Sequence, residues 1–301
     1  MKRTLAITIG LTVAFSLSTA AQTARPSRLK VFISVDMEGI TNVVHVDQTT
    51  PGTAEYAAAR KWMAEDVNAA VEGAFKAGAT EVIVNDSHGS MRNINPDDLN
   101  PRAVLISGSP KPLSMMQGID ETCDAVLFVG YHAQAGTQNA TLDHTISGSV
   151  VHGIRVNGVE MPELGLNAAI AGWYGVPVVF VSGDVAVCRQ AKALLGNDIV
   201  TAPVKDGIGR QAARLVPEAD ARKAIRDRAA EAVRRAKQFK PYRLNPPYTF
   251  ELEFFVSSQA DMACLVPEVK RKDARTVTFT HDDYVKGFSL LRALIALAPP
   301  R

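Results

Sequence analysis

Four short apolar runs occur before residue 185, and polar residues or glycine follow each of them. Many of their side chains are β-branched and few polar residues interrupt them, which is typical of strands buried on both faces of a parallel sheet. The runs are residues 29–35, 81–84, 125–129 and 176–181. We therefore predict a mainly parallel sheet in this part of the chain.

Two helical patterns lie between these runs. Residues 54–77 carry apolar side chains every three or four positions, and Gly78 follows as a stop signal. Residues 163–173 form a second helix-like segment, which Gly175 and Pro177 close. Strands that alternate with helices predict an α/β fold, in which helices flank the sheet and connect its parallel strands.

The pattern changes after about residue 190. Later segments read as a helix at 218–237, strands at 248–256 and 276–280, and a closing helix at 283–298. We therefore predict an α/β domain at residues 28–190 and a smaller α+β region at residues 191–301.

Composition and charge narrow the function classes. Of the 301 residues, 47% are hydrophobic and 21% are charged, which is typical of a globular chain and not of a disordered one. Lysine and arginine number 33 against 31 aspartate and glutamate residues. Two of the basic residues, Lys2 and Arg3, stand in an N-terminal segment without acids, so the rest of the chain is balanced. Because nucleic-acid binding needs a basic surplus or patch, we expect no nucleic-acid partner.

The N-terminal segment has the three parts of a secretory signal peptide. Lys2 and Arg3 precede an apolar run at residues 5–17, and small residues at 18–21 provide a cleavage site. The run is shorter than the roughly 20 residues that span a bilayer, which disfavours a membrane anchor. We therefore predict a signal peptide at residues 1–21 and a mature protein that is periplasmic or secreted, without a membrane partner.

Metal-capable side chains follow three of the predicted strands. Asp36 and Glu38 come after the first strand, His88 after the second and His132 after the third. Because ligands gather at the carboxyl ends of parallel strands, we expect these side chains to meet at one edge of the sheet. Two carboxylates and two imidazoles suit zinc or a similar divalent ion. Taken singly, an Asp-x-Glu pair is more often part of a turn, and a lone histidine is more often structural.

Two further residues each allow two interpretations. Glu163 opens the second predicted helix, where the helix dipole favours an acidic cap over a metal ligand. His144 lies in a loop rich in glycine and threonine, where a histidine could supply a general acid or base. From the residues alone, a surface or hydrogen-bonded loop histidine is the favoured interpretation of His144.

Five short motifs follow one another along the chain. They are SVDMEG at 34–39, VNDSH at 84–88, KPLSMM at 111–116, GYH at 130–132 and ELGLNA at 163–168. In this order they resemble the DppA-type D-aminopeptidases, a family of zinc-dependent peptidases. The similarity extends from about residue 29 to the C-terminus and is densest before residue 190.

The resemblance implies a peptidase centre with two zinc ions per subunit. The implied metal ligands are Asp36, Glu38, His88, His132 and Glu163. Asp36 would bridge the two ions, and His144 matches the catalytic histidine of the family. The resemblance also implies a ring-shaped homo-oligomer that encloses its active sites and admits short peptide substrates.

Three features depart from the family pattern. Pro162 precedes Glu163 where glycine is expected, and Val185 follows residues 182–184 where the family often carries a second aspartate. Neither position is an implied ligand, but both bear on substrate preference. The predicted signal peptide is the third difference, since the type member of the family has the character of a cytoplasmic protein.

The predicted function is metal-assisted hydrolysis of the N-terminal bond of short peptides, with a D-amino acid expected at that end. Zinc would polarise the scissile carbonyl, and His144 would handle a proton as the amine leaves. The alternative is an exported solute- or peptide-binding protein without catalysis, which would share the signal peptide, the α/β architecture and the length. Such a protein needs no paired metals and no ordered set of carboxylates and histidines.

Overall fold

The computed structural model describes residues 28–300, and the signal peptide predicted at residues 1–21 lies outside this range. Within it, the strands are β1 (Lys30–Val35), β2 (Glu81–Asp86), β3 (Val104–Ile106), β4 (Ala125–Tyr131), β5 (Val151–Val156), β6 (Val159–Glu160), β7 (Val178–Asp184), β8 (Val200–Gly209), β9 (Ala212–Leu215), β10 (Tyr248–Phe254), β11 (Lys270–Arg271) and β12 (Thr276–His281). The α-helices are α1 (Tyr56–Lys76), α2 (Glu163–Trp173), α3 (Val185–Leu195), α4 (Glu218–Arg234), α5 (Ser257–Ala263) and α6 (Tyr284–Leu297). Among these helices, none is both long and apolar enough to cross a membrane.

The first sheet contains the four apolar runs that the sequence predicts as strands. Its order is β3-β2-β1-β4-β7-β8-β9, and every neighbouring pair is parallel except β8 and β9. The four runs correspond to β1, β2, β4 and β7, and nearly all of their residues are buried. The prediction of a mainly parallel sheet between helices is therefore confirmed.

The second sheet is antiparallel and covers one side of the molecule. Its order is β11-β12-β10-β5-β6. Buried and half-buried side chains alternate along β10, as expected when one face of a sheet packs on the core and the other faces solvent.

Helices complete the layers on both faces of the first sheet. On one face, α1 and α4 pack against each other and share a core with Val31, Ile33 and Val35 of β1. On the other face, α2 is buried along almost its whole length because it lies in the core shared by the two sheets. The helices predicted at 54–77, 163–173, 218–237 and 283–298 correspond to α1, α2, α4 and α6.

Sheet membership crosses the predicted boundary near residue 190 in both directions. Strands β5 and β6 come before this residue and belong to the second sheet, whereas β8 and β9 follow it and extend the first sheet. The division of the chain into two regions stays a prediction, and the two sheets are interleaved along the sequence.

A close crossing of two loops brings the ends of β1 and β4 together. The Gly39 amide donates a hydrogen bond of 2.8 Å to the Gly130 carbonyl. A Cβ atom at Gly39 would lie only 2.0 Å from the Tyr131 carbonyl oxygen, and Gly130 has a φ of +70°. Both positions therefore need glycine, and this crossing sets the distance between the acidic residues after β1 and the histidine after β4.

Candidate metal centre

Six predicted site residues lie together at the carboxyl edge of the first sheet. Asp36, Glu38 and His88 form one group, in which one ligand-capable atom of each lies within 4.8 Å of the others. His132, His144 and Glu163 form a second group by the same measure. The structure thus brings together the side chains that the strand ends predict and the two that only the family resemblance implies.

The first group is built from the loops after β1 and β2. Asp36 and Glu38 are 3% and 5% exposed. The Nδ1 atom of His88 lies 3.1 Å from Glu38 Oε2 and 3.3 Å from Asp36 Oδ1. One imidazole nitrogen and two carboxylate oxygens thus converge on one point, as in a site for a divalent cation.

The second group combines the end of β4, the first residue of α2 and a loop. His132 Nε2 lies 3.5 Å from Glu163 Oε2. The His144 ring stacks on the His132 ring, with centroids 3.9 Å apart and an interplanar angle of 13°. His144 is half-buried and is the member of this group that reaches solvent most readily.

Asp36 stands between the two groups. Its Oδ1 atom faces His88, and its Oδ2 atom lies 3.4 Å from His132 Nε2. The two oxygens of one carboxylate therefore face two different sets of nitrogen and oxygen atoms. This arrangement would allow Asp36 to bridge two cations, which is the role that the resemblance implies for it.

Each of the three histidines directs one ring nitrogen into the cluster. The other nitrogen of each ring is within hydrogen-bond distance of a backbone carbonyl, which favours an N–H at that position and a free lone pair on the nitrogen that faces the cluster. The pairs are His88 Nε2 with Thr49 O at 2.9 Å, His132 Nδ1 with Ala133 O at 3.0 Å, and His144 Nδ1 with Leu142 O at 2.9 Å.

The hydrogen bonding of His132 and the donor types of the cluster indicate that these residues fit a metal. His132 is 1% exposed, and its Nε2 atom is buried without a hydrogen-bond partner among the residues described. A buried polar atom without a partner costs free energy unless a ligand satisfies it. Neutral imidazole nitrogens and carboxylate oxygens are the donors that zinc accepts. The donor set therefore matches zinc in kind.

The side chains of the cluster also shift one another's pKa values. Burial and the nearby charge of Glu38 raise the pKa of Asp36. Burial opposes the ionised form of Glu38, but the charge of His88 outweighs it and holds the pKa of Glu38 well below its usual range. Burial also opposes the charged forms of His88 and His132, yet their carboxylate neighbours raise both pKa values well above the usual value. Because imidazole binds metal in its neutral form, metal binding would release protons here.

Glu163 does not act as the helix cap that its position in the sequence favours. The N-cap of α2 is Pro162, whose side chain offers no hydrogen bond, and its extended backbone leads directly into the helix. Glu163 instead accepts a hydrogen bond from the Ile146 amide and turns towards His132. Proline in place of the expected glycine is therefore compatible with this helix start.

Two aspartates outside the cluster hold the loops that carry His88 and His144. Asp86, at the end of β2, accepts hydrogen bonds from the Asn93 and Ile94 amides, and the Asn93 side chain also donates to the His88 carbonyl at 2.7 Å. Asp184, at the end of β7, accepts from the Thr141 amide at 2.8 Å, three residues before His144. Asp184 is not among the predicted site residues, although an aspartate between a strand and a helix is a recognisable N-cap signal.

A cavity of about 190 Å³ opens onto the cluster. Asp36, His88, His144 and Glu163 line it together with Met115 of the KPLSMM motif. Arg292 of α6 lines it as well, and no spacing pattern connects this residue with the strand ends, so the sequence analysis does not find it. The cavity is smaller than the roughly 300–1,000 Å³ of drug-sized ligand pockets, so it suits a small substrate group.

Comparisons with known proteins find relatives over most of the chain. Residues 29–293 match a family model described as D-aminopeptidase. A D-aminopeptidase of Bacillus subtilis (strain 168) is 37% identical over 276 residues, which is 90% of this chain and 98% of that protein. A solved structure, the Zn-dependent D-aminopeptidase DppA from Bacillus subtilis, described as a self-compartmentalizing protease, has a TM-score of 0.87 and 35% identity, and the match covers 89% of this chain and 97% of that one. Because the family model spans most of its length, the chain belongs to the D-aminopeptidase family.

Proposed function

We propose that this protein is a zinc-dependent aminopeptidase that hydrolyses the N-terminal bond of short peptides carrying a D-amino acid at that end. The observation that carries the proposal is the position of Asp36, whose two oxygens face two clusters of buried metal-capable side chains. Relatives named D-aminopeptidase at 35–37% identity over most of the chain support the same conclusion. Membership of an enzyme family does not favour the alternative of a solute-binding protein.

We further propose two zinc ions per subunit. Asp36, Glu38 and His88 would hold one, and Asp36, His132 and Glu163 would hold the other. When bound, zinc supplies polarisation of a carbonyl group and a lowered pKa of water, from about 15.7 towards 7. The number two is supported by the two separate convergence points on either side of Asp36.

His144 would move a proton in the reaction. Its Nδ1 atom is within hydrogen-bond distance of the Leu142 carbonyl, so the Nε2 atom is free to accept or donate, and the ring borders the cavity. A histidine in this position can transfer a proton to the departing amine. His144 also lies within ligand distance of His132 and Glu163, so its role as proton carrier has to be separated from a role as ligand.

Metal analysis of the purified protein and its variants tests the centre. We expect two zinc equivalents per chain, a loss of zinc in His88→Ala and His132→Ala, and full zinc content with strongly reduced turnover in His144→Ala. Zinc loss in His144→Ala would make this residue a ligand. Zinc-free protein with unchanged activity would overturn the metal centre.

A substrate screen tests the reaction itself. D- and L-aminoacyl dipeptides and amides should be compared with zinc added, and we expect cleavage of the D-aminoacyl compounds in preference. Cleavage of L-aminoacyl compounds alone would overturn the D-specificity. Zinc-loaded protein that cleaves none of them would remove the proposed activity while leaving the metal centre intact.

We also propose an exported homo-oligomer. The leader pattern at residues 1–21 supports export, and the N-terminal sequence of the mature protein from fractionated cells tests it. The description of the Bacillus subtilis structure as self-compartmentalizing supports a ring-shaped assembly of this chain as well. Light scattering on the purified protein measures the assembly, and a monomer would contradict it.

A further inference from the structure

One arginine at the cavity belongs to neither group of metal-capable side chains. Arg292 lies on α6, far along the chain from the strand ends, yet it lines the cavity beside Glu163 and His144. It is the one lysine or arginine among the lining residues that the structure describes. Its guanidinium group therefore provides a positive charge at the cavity that is independent of the metal ligands.

The position of Arg292 is fixed by the packing of α6. The Tyr284 hydroxyl, at the start of α6, donates a hydrogen bond of 3.1 Å to the Leu166 carbonyl of α2. Phe288, Leu291 and Ile295 of α6 are buried in the core that the two sheets share. The helix that carries Arg292 is thus held against the helix that carries Glu163.

Arg292 has no ion-pair partner within residues 28–300. No carboxylate of this range accepts a hydrogen bond from it, although the charge of Glu163 acts on it at longer range. Burial lowers its pKa, but an arginine side chain remains charged in proteins. Other arginines of the chain, such as Arg271 and Arg275, are paired with carboxylates at 2.7–2.8 Å. A half-buried charge without a partner favours the binding of an anion.

Metal binding strengthens this preference. Divalent cations at the cluster would offset the charges of Asp36, Glu38 and Glu163, of which Asp36 and Glu163 line the cavity. Arg292 would then be a cation facing a small cavity without a carboxylate to balance it. An anionic substrate group that enters the cavity would be attracted to the guanidinium group, which can bind a carboxylate through two parallel hydrogen bonds.

We propose that Arg292 binds the C-terminal carboxylate of a dipeptide substrate and so makes the enzyme prefer the free acid over the C-terminal amide. The proposal rests on the proposed peptidase function. In a dipeptide the carboxylate lies one residue from the bond that is cleaved, so both groups can lie in or beside a cavity of about 190 Å³. A C-terminal amide lacks the charge that the guanidinium group would bind.

The test compares D-alanyl-glycine with its C-terminal amide. We expect zinc-loaded wild-type protein to have a higher kcat/KM for the free acid, mainly through a lower KM. Arg292→Met should lower kcat/KM for the free acid by roughly 10- to 100-fold, the range expected for lost hydrogen bonds to a charged group. The value for the amide should change little, and Arg292→Lys should fall between wild type and Arg292→Met.

Matched controls separate substrate binding from a structural role. Lys286→Met removes a positive charge from an exposed position of the same helix and should leave both substrates unaffected. Zinc content and thermal stability of Arg292→Met should equal those of wild type. An equal loss for the acid and the amide, or equal use of both by wild-type protein, would overturn the proposal.

A binding measurement keeps this proposal separate from the proposed function. If wild-type protein cleaves neither compound, the peptidase function fails, and calorimetric titration with the same two compounds then tests Arg292. Tighter binding of the free acid that disappears in Arg292→Met would support the carboxylate site. Equal affinity of wild type and Arg292→Met for the free acid would overturn it.

Discussion

Two buried charged sites adjoin each other at the carboxyl edge of the first sheet, and they differ in how their polar atoms are satisfied. The Lys205 side chain, on β8, is 1% exposed and donates to three backbone carbonyls, those of Glu38 at 2.6 Å, Ile40 at 2.9 Å and Val43. An ammonium group has three donors, so Lys205 is fully satisfied by this chain. In the metal-capable cluster, His132 Nε2 has no hydrogen-bond partner within residues 28–300, and the carboxylates of Asp36 and Glu38 face each other's charge.

The difference separates a structural site from a ligand-binding site. Lys205 ties down the turn at residues 38–43, immediately after the strand that carries Asp36, and nothing is left for a ligand to satisfy. The metal-capable cluster keeps lone pairs aimed at shared points, which only a cation can satisfy together. A fully satisfied buried charge thus indicates support of the fold, and convergent unsatisfied atoms indicate binding.

Asp66 shows that a single unsatisfied atom is not enough to indicate a site. Its Oδ1 atom is buried without a hydrogen-bond partner within residues 28–300 and lies beside the Arg222 guanidinium, with Nε at 3.6 Å. Its Oδ2 atom accepts a hydrogen bond of 2.9 Å from the Thr41 amide. No second histidine or carboxylate converges with it in the groups that could hold a metal. Convergence of several donors, and not the lone unsatisfied atom, therefore carries the functional argument.

The largest expected effect comes from removing the shared carboxylate. Asp36→Asn should lower kcat/KM at least roughly 10³-fold, since metal assistance contributes several kcal/mol to transition-state stabilisation. Zinc content should fall as well, as measured by metal analysis, and Asp47→Asn at an exposed position is the control. Full zinc content with full activity would break the assignment of Asp36 to a ligand-binding site.

Metal removal should lower the stability of wild-type protein more than that of a variant with a damaged metal centre. A chelator should lower the free energy of unfolding of wild-type protein by about 3 kcal/mol for each zinc ion removed, relative to protein with zinc at 100 times its dissociation constant. The chelator should lower the free energy of unfolding of Asp36→Asn far less, because this variant binds zinc weakly. Denaturant unfolding with and without zinc measures both, and equal shifts in the two proteins would contradict the prediction.

Replacement of Lys205 should lower the stability of the fold without changing metal binding. Lys205→Met leaves three carbonyls without their donor and should lower the free energy of unfolding by about 2 kcal/mol, since each unsatisfied buried acceptor costs about 1–3 kcal/mol and relief of the buried ammonium offsets part of this. The loss should be the same with zinc and with chelator. The exposed Lys237→Met is the matched control, and a loss confined to zinc-loaded protein would assign Lys205 to the metal site instead.

The most gradual effect concerns the pH dependence of stability at Asp66. Burial raises the pKa of Asp66 from 3.8 to about 6, so the folded protein retains a proton that the unfolded chain releases at lower pH. Stability should therefore decrease as the pH rises from about 4 to about 6, by about 1 kcal/mol per pH unit. Asp66→Asn lacks this contribution. Unfolding of chelated protein at several pH values measures the difference, and parallel profiles for wild type and variant would contradict it.

The sequence alone predicts the central strands because each is a continuous buried run. It misses β8, in which Pro203, Lys205, Asp206 and two glycines interrupt the apolar pattern. Lys205 is buried there because three carbonyls of a distant turn surround it, and no local pattern contains that information. The sequence misses β5 for the same reason, because this strand pairs with β10 about 100 residues later in the chain.

The residues of the candidate site also divide into those that the sequence predicts and those that it does not. Asp36, Glu38, His88 and His132 are predictable from the residues because parallel strands bring their carboxyl ends to one edge of a sheet. Glu163 and His144 enter only through the family resemblance, since a helix start and a loop have several other uses for an acid and a histidine. Neither the strand ends nor the family resemblance identifies Arg292, because only the packing of α6 on α2 brings it to the cavity.

By itself, the sequence determined the α/β class, the order of the central elements and the chemistry available at the strand ends, since periodicity and strand termini are local properties of the chain. Tertiary structure decided which of these groups face one another and which are satisfied. The glycine crossing at residues 39 and 130, the backbone partners of the histidines and the approach of α6 all join distant segments. A free lone pair or an unpaired charge exists only relative to such neighbours, so only the folded chain can distinguish a site that binds from one that supports.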